Sequence, residues 1–452
     1  MNGIGIAVAS LLLLWCALLY VPFRWRPLGM FLFMEKTLAL GYTPFIVGIG
    51  VALVVVGALL RSWWMAVPAG LAAVGALVVI VRVGSVRVDL SGALDTGWEE
   101  RIPAARRPRM VRRWWSGRLA SDPQPRLRQD VPFATPAGTD RALLCDVWQP
   151  PLGVRPSGLA MVYLHGSSWY VLDKDFGTRP LFRHLAAQGH VIVDVAYRLF
   201  PETDVPGMVT DARRAVAWVR EHARELEVDP QRIVLAGGSA GAHLALLAAH
   251  SDEVPALSPS DLAGSDLHVA GVAALYAPAS VDALYWHCGQ DKSCHQGDRQ
   301  PDWTAPPSRT LVRLFGRNAA RLRLQFMAYG GRTDWLVGGT PDEVPEAYAL
   351  VSAFSYVRAD CPPTLLLHGT HDEMAPVAAT RTLQHRMEEA GAPVAAVYLP
   401  HTDHAFDLIV TRWSPAARVA VHTLERFLAA ISTTTEKHIP AHAGPHSKGE
   451  LS

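Results

Sequence analysis

The sequence predicts an α/β protein with a mostly parallel central sheet, preceded by three transmembrane helices. Three observations carry that prediction. From about residue 130 to 430, short apolar runs alternate with helix-period runs, the pattern of a parallel sheet covered on both faces. Near the N-terminus three stretches without a charged side chain (1–23, 37–60 and 62–81) are each long enough to cross a bilayer core. Finally, Gly237-Gly238-Ser239-Ala240-Gly241 joins an apolar run at 233–236 to a helix-prone run at 242–250. Strand, sharp turn and helix is the context that presents a serine as a nucleophile at the top of a sheet.

The first apolar run has no Lys or Arg ahead of it and no small-residue cleavage site before Arg24, so it reads as a retained span. Residues 1–83 are therefore expected to form the membrane anchor. Basic residues set its orientation. Arg24, Arg26 and Lys36 follow the first span, Arg61 alone separates the second and third, and Arg82 and Arg87 follow the third. This places the N-terminus outside and the large C-terminal part in the cytoplasm. Residues 84–129 read as a basic connector. Between Arg101 and Arg128 there are nine arginines and one acid, Asp122, with Trp114 and Trp115 among them. Two readings stay open for this segment, contact with anionic lipid or a solvated linker. Its position beside a span argues against a nucleic-acid partner. The net charge of +1 gives no whole-molecule field to argue from.

From 130 to 433 the chain reads as one catalytic unit. Strands are expected at 140–148, 159–164, 190–195, 233–236, 269–276, 364–367 and 394–399. Helices are expected at 181–188, 210–226, 376–390 and 416–430. Residues 278–350 break the rhythm with an irregular mix of Trp, Arg, Gly and Pro and one helix at 311–329, as a cap inserted on the core would. The polar tail, 434–452, lacks hydrophobic periodicity and is expected to be disordered. Cys145 and Cys361 lie beside strands, as buried thiols do. Cys288 and Cys294 bracket a polar loop with His287 and His295; a disulfide there would conflict with a cytoplasmic domain, and the spacing fits no zinc pattern.

A serine hydroxyl needs a base within hydrogen-bond reach, and the base needs an orienting acid. In this architecture the chain order is Ser, acid, His. After Ser239 the acid is Asp372, in the loop past 364–367, with Glu373 as second choice. The base is His404, past 394–399, with His401 as second choice. Each lies at a strand's C-terminal end, where such folds gather their sites. The tetrahedral intermediate also needs backbone N–H donors. Ala240 supplies one, and the loop His165-Gly166-Ser167-Ser168-Trp169, past 159–164, supplies the others.

With these motifs in place, residues 130–430 resemble the α/β-hydrolase fold, and within it the hormone-sensitive-lipase-like carboxylesterases of bacteria. The matching pieces are HGSSW where the family pattern is H-G-G-G-W, AYRLFPE, GGSAGAHLA, LLLHGTHDEMAPV and DHAF. The resemblance implies Ser239 as nucleophile, His404 as base, Asp372 as its partner, and Gly166, Ser167 and Ala240 as the oxyanion hole. Ser168 and Trp169 are expected in the substrate pocket, while Tyr197, Arg198 and Asp211 fall at structural positions. Ser167 and Ser168 replace two family glycines. The ending GGSAGAHLA is nearer to formamidases and isoprenylcysteine methylesterases. With its spans, the chain looks like membrane-anchored actinobacterial esterases.

The expected function is a membrane-anchored serine esterase or lipase that needs no cofactor or metal and acts on a small-molecule or lipid-derived ester, with membrane lipid as neighbour. A formamidase or prenylcysteine methylesterase uses the same machinery, as does an acyltransferase. A membrane protein whose hydrolase-like domain only binds is the alternative from another class. Oligomeric state is left open.

Overall fold

The computed structural model describes residues 2–22, 26–111, 123–252, 254–258, 260–289, 333–408 and 413–433. Its strands are β1 (Arg126–Ala134), β2 (Leu143–Gln149), β3 (Gly158–Leu164), β4 (Val191–Ala196), β5 (Val228–Gly238), β6 (Gly271–Leu275), β7 (Thr364–Gly369) and β8 (Val394–Leu399). They form one sheet in the order β1-β2-β4-β3-β5-β6-β7-β8. Pairs β1–β2 and β2–β4 are antiparallel, and every pair from β4 to β8 is parallel. The expected mostly parallel α/β sheet is therefore present.

Period-two alternation assigns side chains to two layers. On β5, Ile233 and Leu235 enter one core, and Val234 and Ala236 enter the other. The first core is covered by helices whose buried faces include Val205 to Val219, Ala240 to Ala249, and Ala379 to Met387. The second is covered by Leu181 to Ala186 and by the closing helix Pro415–Ile431. The helix Val205–Glu221 starts five residues before the expected 210 because Asp204 caps it, accepting from the Gly207 N–H, with a proline in the first turn.

β1 straddles the expected boundary at 129/130, beginning in the connector and preceding the first expected strand. Its sequence, RLRQDVPFA, keeps only Phe133 fully buried, so it lacks an apolar signature and pairs as an edge strand. The basic segment ahead of it is docked on the protein. Arg106 donates to Ser432 Oγ, Arg107 to the carbonyls of Glu99 and Ile102, and Arg109 to the Ala187 carbonyl, while Arg101 pairs with Asp95. Residues 112–122, which include Trp114 and Trp115, lie outside the described residues, as do Cys294, the expected helix at 311–329 and the tail.

The N-terminal part differs from three straight spans. It contains α1 (Asn2–Ala17), α2 (Arg26–Gly41), α3 (Thr43–Leu59) and α4 (Trp63–Gly84). Among the described residues one helix, Trp63–Gly84, is long and apolar enough to cross a membrane, or two if the bent pair Leu32–Gly41 and Thr43–Leu59 is one span. At 16 residues α1 is short of the length a bilayer core requires. The second charge-free run is split by a 71° bend, where a proline opens α3 and the Thr43 hydroxyl donates to the Leu40 carbonyl. Residues 37–41 thus belong to α2, and Lys36 lies inside that helix rather than in a loop. Leu19, Ala39, Leu40, Val79 and Val83 share a core with the sheet and with Pro415–Ile431. Away from that core the surface is apolar: every exposed large hydrophobic side chain among the described residues lies in 4–81, apart from Leu152, Phe176 and Trp286.

Candidate active site

Four loops at the C-terminal ends of β3, β5, β7 and β8 converge. β5 ends at Gly238, and Ser239 follows with φ 54° and ψ −124°, opening the helix Ala240–His250. Positive φ on a serine is strained, and its surroundings hold it there. The Ser239 N–H donates to the Leu275 carbonyl at 2.9 Å, and the Ser239 carbonyl accepts from the His243 N–H at 3.0 Å. The side chain is thereby left to project into the cleft.

His404 Nε2 lies 2.8 Å from Ser239 Oγ, and His404 Nδ1 lies 2.8 Å from Asp372 Oδ2. The Asp372 Oδ1 atom accepts from the N–H groups of Met374 and Ala375 at 2.9 and 2.8 Å. Burial alone would raise this carboxyl. His404, together with His368 at 3.1 Å, outweighs burial and holds it well below the usual carboxylate range. An ionised acid fixes the tautomer that carries its proton on Nδ1 and leaves Nε2 to accept from the serine.

The second choices lie elsewhere. Glu373 turns toward Lys36, with Oε1 3.6 Å from Nζ. His401 contacts the Leu19 carbonyl through Nδ1, and Arg82 donates to its Nε2.

The loop past β3 approaches Ser239 closely. A Cβ built on Gly166 would lie 3.2 Å from the Gly238 carbonyl oxygen and 3.4 Å from Ser239 Cβ. Among the described residues, no backbone carbonyl accepts from the N–H groups of Gly166, Ser167 or Ala240. Serine suits the two family-glycine positions differently. Ser167 does not have positive φ, whereas Ser168 has φ 48°. The Ser167 hydroxyl also stabilises the turn. It accepts from the Trp169 N–H at 3.0 Å and donates to Tyr197 Oη at 2.7 Å, and Tyr197 in turn donates to the His165 carbonyl at 2.7 Å. Ser167→Ala leaves the buried Trp169 N–H without its acceptor. A loss of about 1–3 kcal/mol is expected in chemical denaturation, and a change under about 0.5 kcal/mol would contradict this role.

Trp169 does not line the cleft. Its indole is buried, donating to His243 Nδ1 at 3.2 Å. Burial pushes His243 down to about 4, so it is neutral and can accept there while Nε2 meets the Val351 carbonyl at 2.7 Å. Ser168 does line the cleft, a cavity of about 70 Å³ beside Ser239 and His404 whose apolar walls are Phe33, Met34, Leu172, Phe176, Met374 and Leu408.

Sequence reasoning missed several contributors. Tyr276, the residue after β6, packs its ring 4.6 Å from the His404 ring and donates to Asp407 Oδ1 at 2.6 Å. The strand expected at 269–276 includes it, whereas β6 ends at Leu275 and leaves Tyr276 just past the strand end. Asp407 lies three residues beyond His404, and burial raises its carboxyl despite the Tyr276 bond. Phe33 and Met34 come from α2, where nothing in the sequence ties an apolar helix to a cleft some two hundred residues further along the chain. Among the described residues no group of three or more His, Cys, Asp or Glu side chains is placed to hold a metal.

Fold and cleft together define an α/β protein with a strained serine at the end of a central parallel strand, next to an imidazole and a buried carboxylate. Comparison with known proteins agrees with the α/β fold. The family model BD-FAE matches residues 145–302 and 327–387. The esterase LipQ of Mycobacterium tuberculosis is 28% identical over 67% of this chain and 62% of its own length. A probable carboxylic ester hydrolase of the same organism, LipM, is 28% identical over 68% of this chain and 62% of its own length. The chain thus spans under two thirds of the length of these relatives. A solved structure, a truncated carbohydrate esterase from gut microbiota, superposes with a TM-score of 0.50 at 18% identity, covering 70% of this chain and 99% of that one; this similarity is one of fold.

Proposed function

We propose that the chain is a serine carboxylesterase or lipase of the α/β-hydrolase fold, held at the cell membrane by its N-terminal helices. The observation that carries this is the continuous hydrogen-bond relay from Ser239 Oγ through both nitrogens of His404 to Asp372. The proton of Ser239 passes to His404 Nε2 as Oγ attacks the ester carbonyl, and the N–H groups of Gly166, Ser167 and Ala240 receive the oxyanion. Collapse returns the proton from Nε2 to the departing alkoxide and leaves an acyl-serine. Water, deprotonated by the same nitrogen, attacks the acyl carbon and releases the acid. Asp372 stays ionised throughout and stabilises the imidazolium.

The names of the relatives support ester hydrolysis as the reaction. The apolar walls beside Ser239, with Ser168 among the lining residues, support an acyl group as the part bound there. Attachment to a membrane rests on the length of Trp63–Gly84 and on the apolar surface of residues 4–81. The arginines that follow α4 support a cytoplasmic catalytic part.

Two fluorophosphonate probes test chemistry and topology together. A membrane-permeant probe is expected to label Ser239 in intact cells, and an impermeant one only after lysis. Failure of the permeant probe to label folded protein contradicts the nucleophile assignment. Labelling by the impermeant probe in intact cells places the domain outside.

A further inference from the structure

α2 reaches the proposed acid and base through a buried cation. Lys36 is 1% exposed. Its Nζ lies 2.9 Å from Asp403 Oδ2, 3.6 Å from Glu373 Oε1 and 3.5 Å from the His371 carbonyl oxygen. Two of these partners flank Asp372 in the loop past β7, and the third precedes His404 in the loop past β8. Asp403 ties the loops together with its other oxygen: Oδ1 accepts from the Glu373 N–H at 3.0 Å and from the His404 N–H at 2.7 Å. One residue further along α2, the Thr37 hydroxyl lies 3.3 Å from the His404 carbonyl oxygen.

Burying an ammonium is costly unless it is paired and hydrogen-bonded. A cation that served only to dock the helix would meet one carboxylate anywhere on the interface. This one instead meets both loops whose separation fixes the distance from His404 to Asp372, at a carboxylate that grips the His404 backbone. Burial and the neighbouring Asp372 push the Asp403 carboxyl up, and Lys36 opposes that shift. Loss of the cation frees Asp403 to take up a proton or to turn, and either change moves the backbone that holds the imidazole.

Accordingly, we propose that Lys36 is a positioning residue, setting the two loops that bear Asp372 and His404, so that the N-terminal helices are a working part of the active site as well as an anchor. The inference rests on the assignment of Ser239, His404 and Asp372 made above. Lys36 touches neither the cavity nor Ser239, so its removal should act on turnover and leave substrate binding alone.

The test uses the full chain in detergent, with p-nitrophenyl butyrate as substrate and phosphonate titration to count competent sites. Lys36→Met is expected to lower kcat per titrated site about 10-fold to 100-fold with KM within about 2-fold. The pair Lys36→Met with Asp403→Asn removes the uncompensated carboxylate while keeping an acceptor for the two N–H groups, and should recover part of that loss. Should the methionine variant fail to accumulate, Lys36→Gln carries the same reading, since it offers Asp403 a donor without the charge. A folded Lys36→Met or Lys36→Gln protein with wild-type kcat overturns the proposal, as does a loss confined to KM. If the wild-type protein itself is not labelled at Ser239, the underlying assignment fails. If it is labelled and the Lys36 variant turns over normally, only the positioning role fails.

Discussion

Ser239→Ala is expected to lower kcat on a short-chain p-nitrophenyl ester by roughly 10⁴-fold to 10⁶-fold, with the folded state intact. The magnitude follows from the relay. Without Oγ there is no atom within 2.8 Å of His404 Nε2 to accept the acyl group. The reaction that remains is direct attack by water, assisted by the imidazole and the backbone donors. Asp372→Asn should approach the same loss, roughly 10⁴-fold, for a different reason. Asparagine can still accept from the Met374 and Ala375 N–H groups, so the loop persists. Its amide, however, no longer stabilises an imidazolium and can favour the wrong tautomer of His404. Because the two residues act as a unit, the double variant should be little slower than Ser239→Ala alone. Steady-state rates of the three purified variants, with circular dichroism to verify folding, check this. A Ser239→Ala protein that keeps more than about a tenth of wild-type kcat sinks the mechanism.

The C-terminal ends of the parallel strands were the readable part of this molecule. Ser239, Asp372 and His404 each lie just past an apolar run, in the chain order that this architecture uses, and a strand places its next residue on the sheet's edge whatever the distant sequence does. β8 was legible to the residue, 394–399, because its run is short and bounded by Pro393 and Pro400. β1 was not, because an edge strand facing water needs no apolar face. α2 was misread for the opposite reason. Apolar content shows that a face is covered, but not by what. Phe33, Met34 and Lys36 fall in the loop expected between the first two spans, and only tertiary contact reveals a pocket wall and a buried ion pair. Trp169 was expected in the pocket and is buried behind it instead. Which way its ring points depends on φ 66° at that residue and on a histidine one turn into the helix beyond Ser239.

Gly241→Ala should remove the folded protein from the soluble or detergent-extractable fraction, at a cost of about 4 kcal/mol or more. The turn at Ser239 brings the helix Ala240–His250 against the end of β3. A Cβ at Gly241 would lie 2.5 Å from the Leu164 carbonyl carbon and 2.6 Å from the His165 carbonyl oxygen. These are backbone atoms of a central strand and of the loop that carries Gly166, so no rotamer change relieves the overlap. The helix would have to withdraw, taking Ser239 with it and opening a gap beside Ala240 and Leu244, which are fully buried. Gly237→Ala should behave alike, since its Cβ would meet Gly241 C at 2.5 Å and the Leu164 carbonyl oxygen at 2.7 Å. Gly238 supplies a graded comparison, because there the new methyl meets the Tyr276 ring, with Cζ at 2.9 Å, and a ring can tilt. Gly238→Ala is therefore expected to fold with reduced stability and to lower kcat by displacing the ring that packs on His404. Gly97→Ala, whose Cβ finds only Asp95 Oδ1 at 3.6 Å, serves as the control that should change little. Thermal unfolding and extractable yield of the four variants decide the matter. A Gly241→Ala protein as stable as the control would mean that helix and strand are not packed as described, and the tight turn holding Ser239 would lose its physical basis.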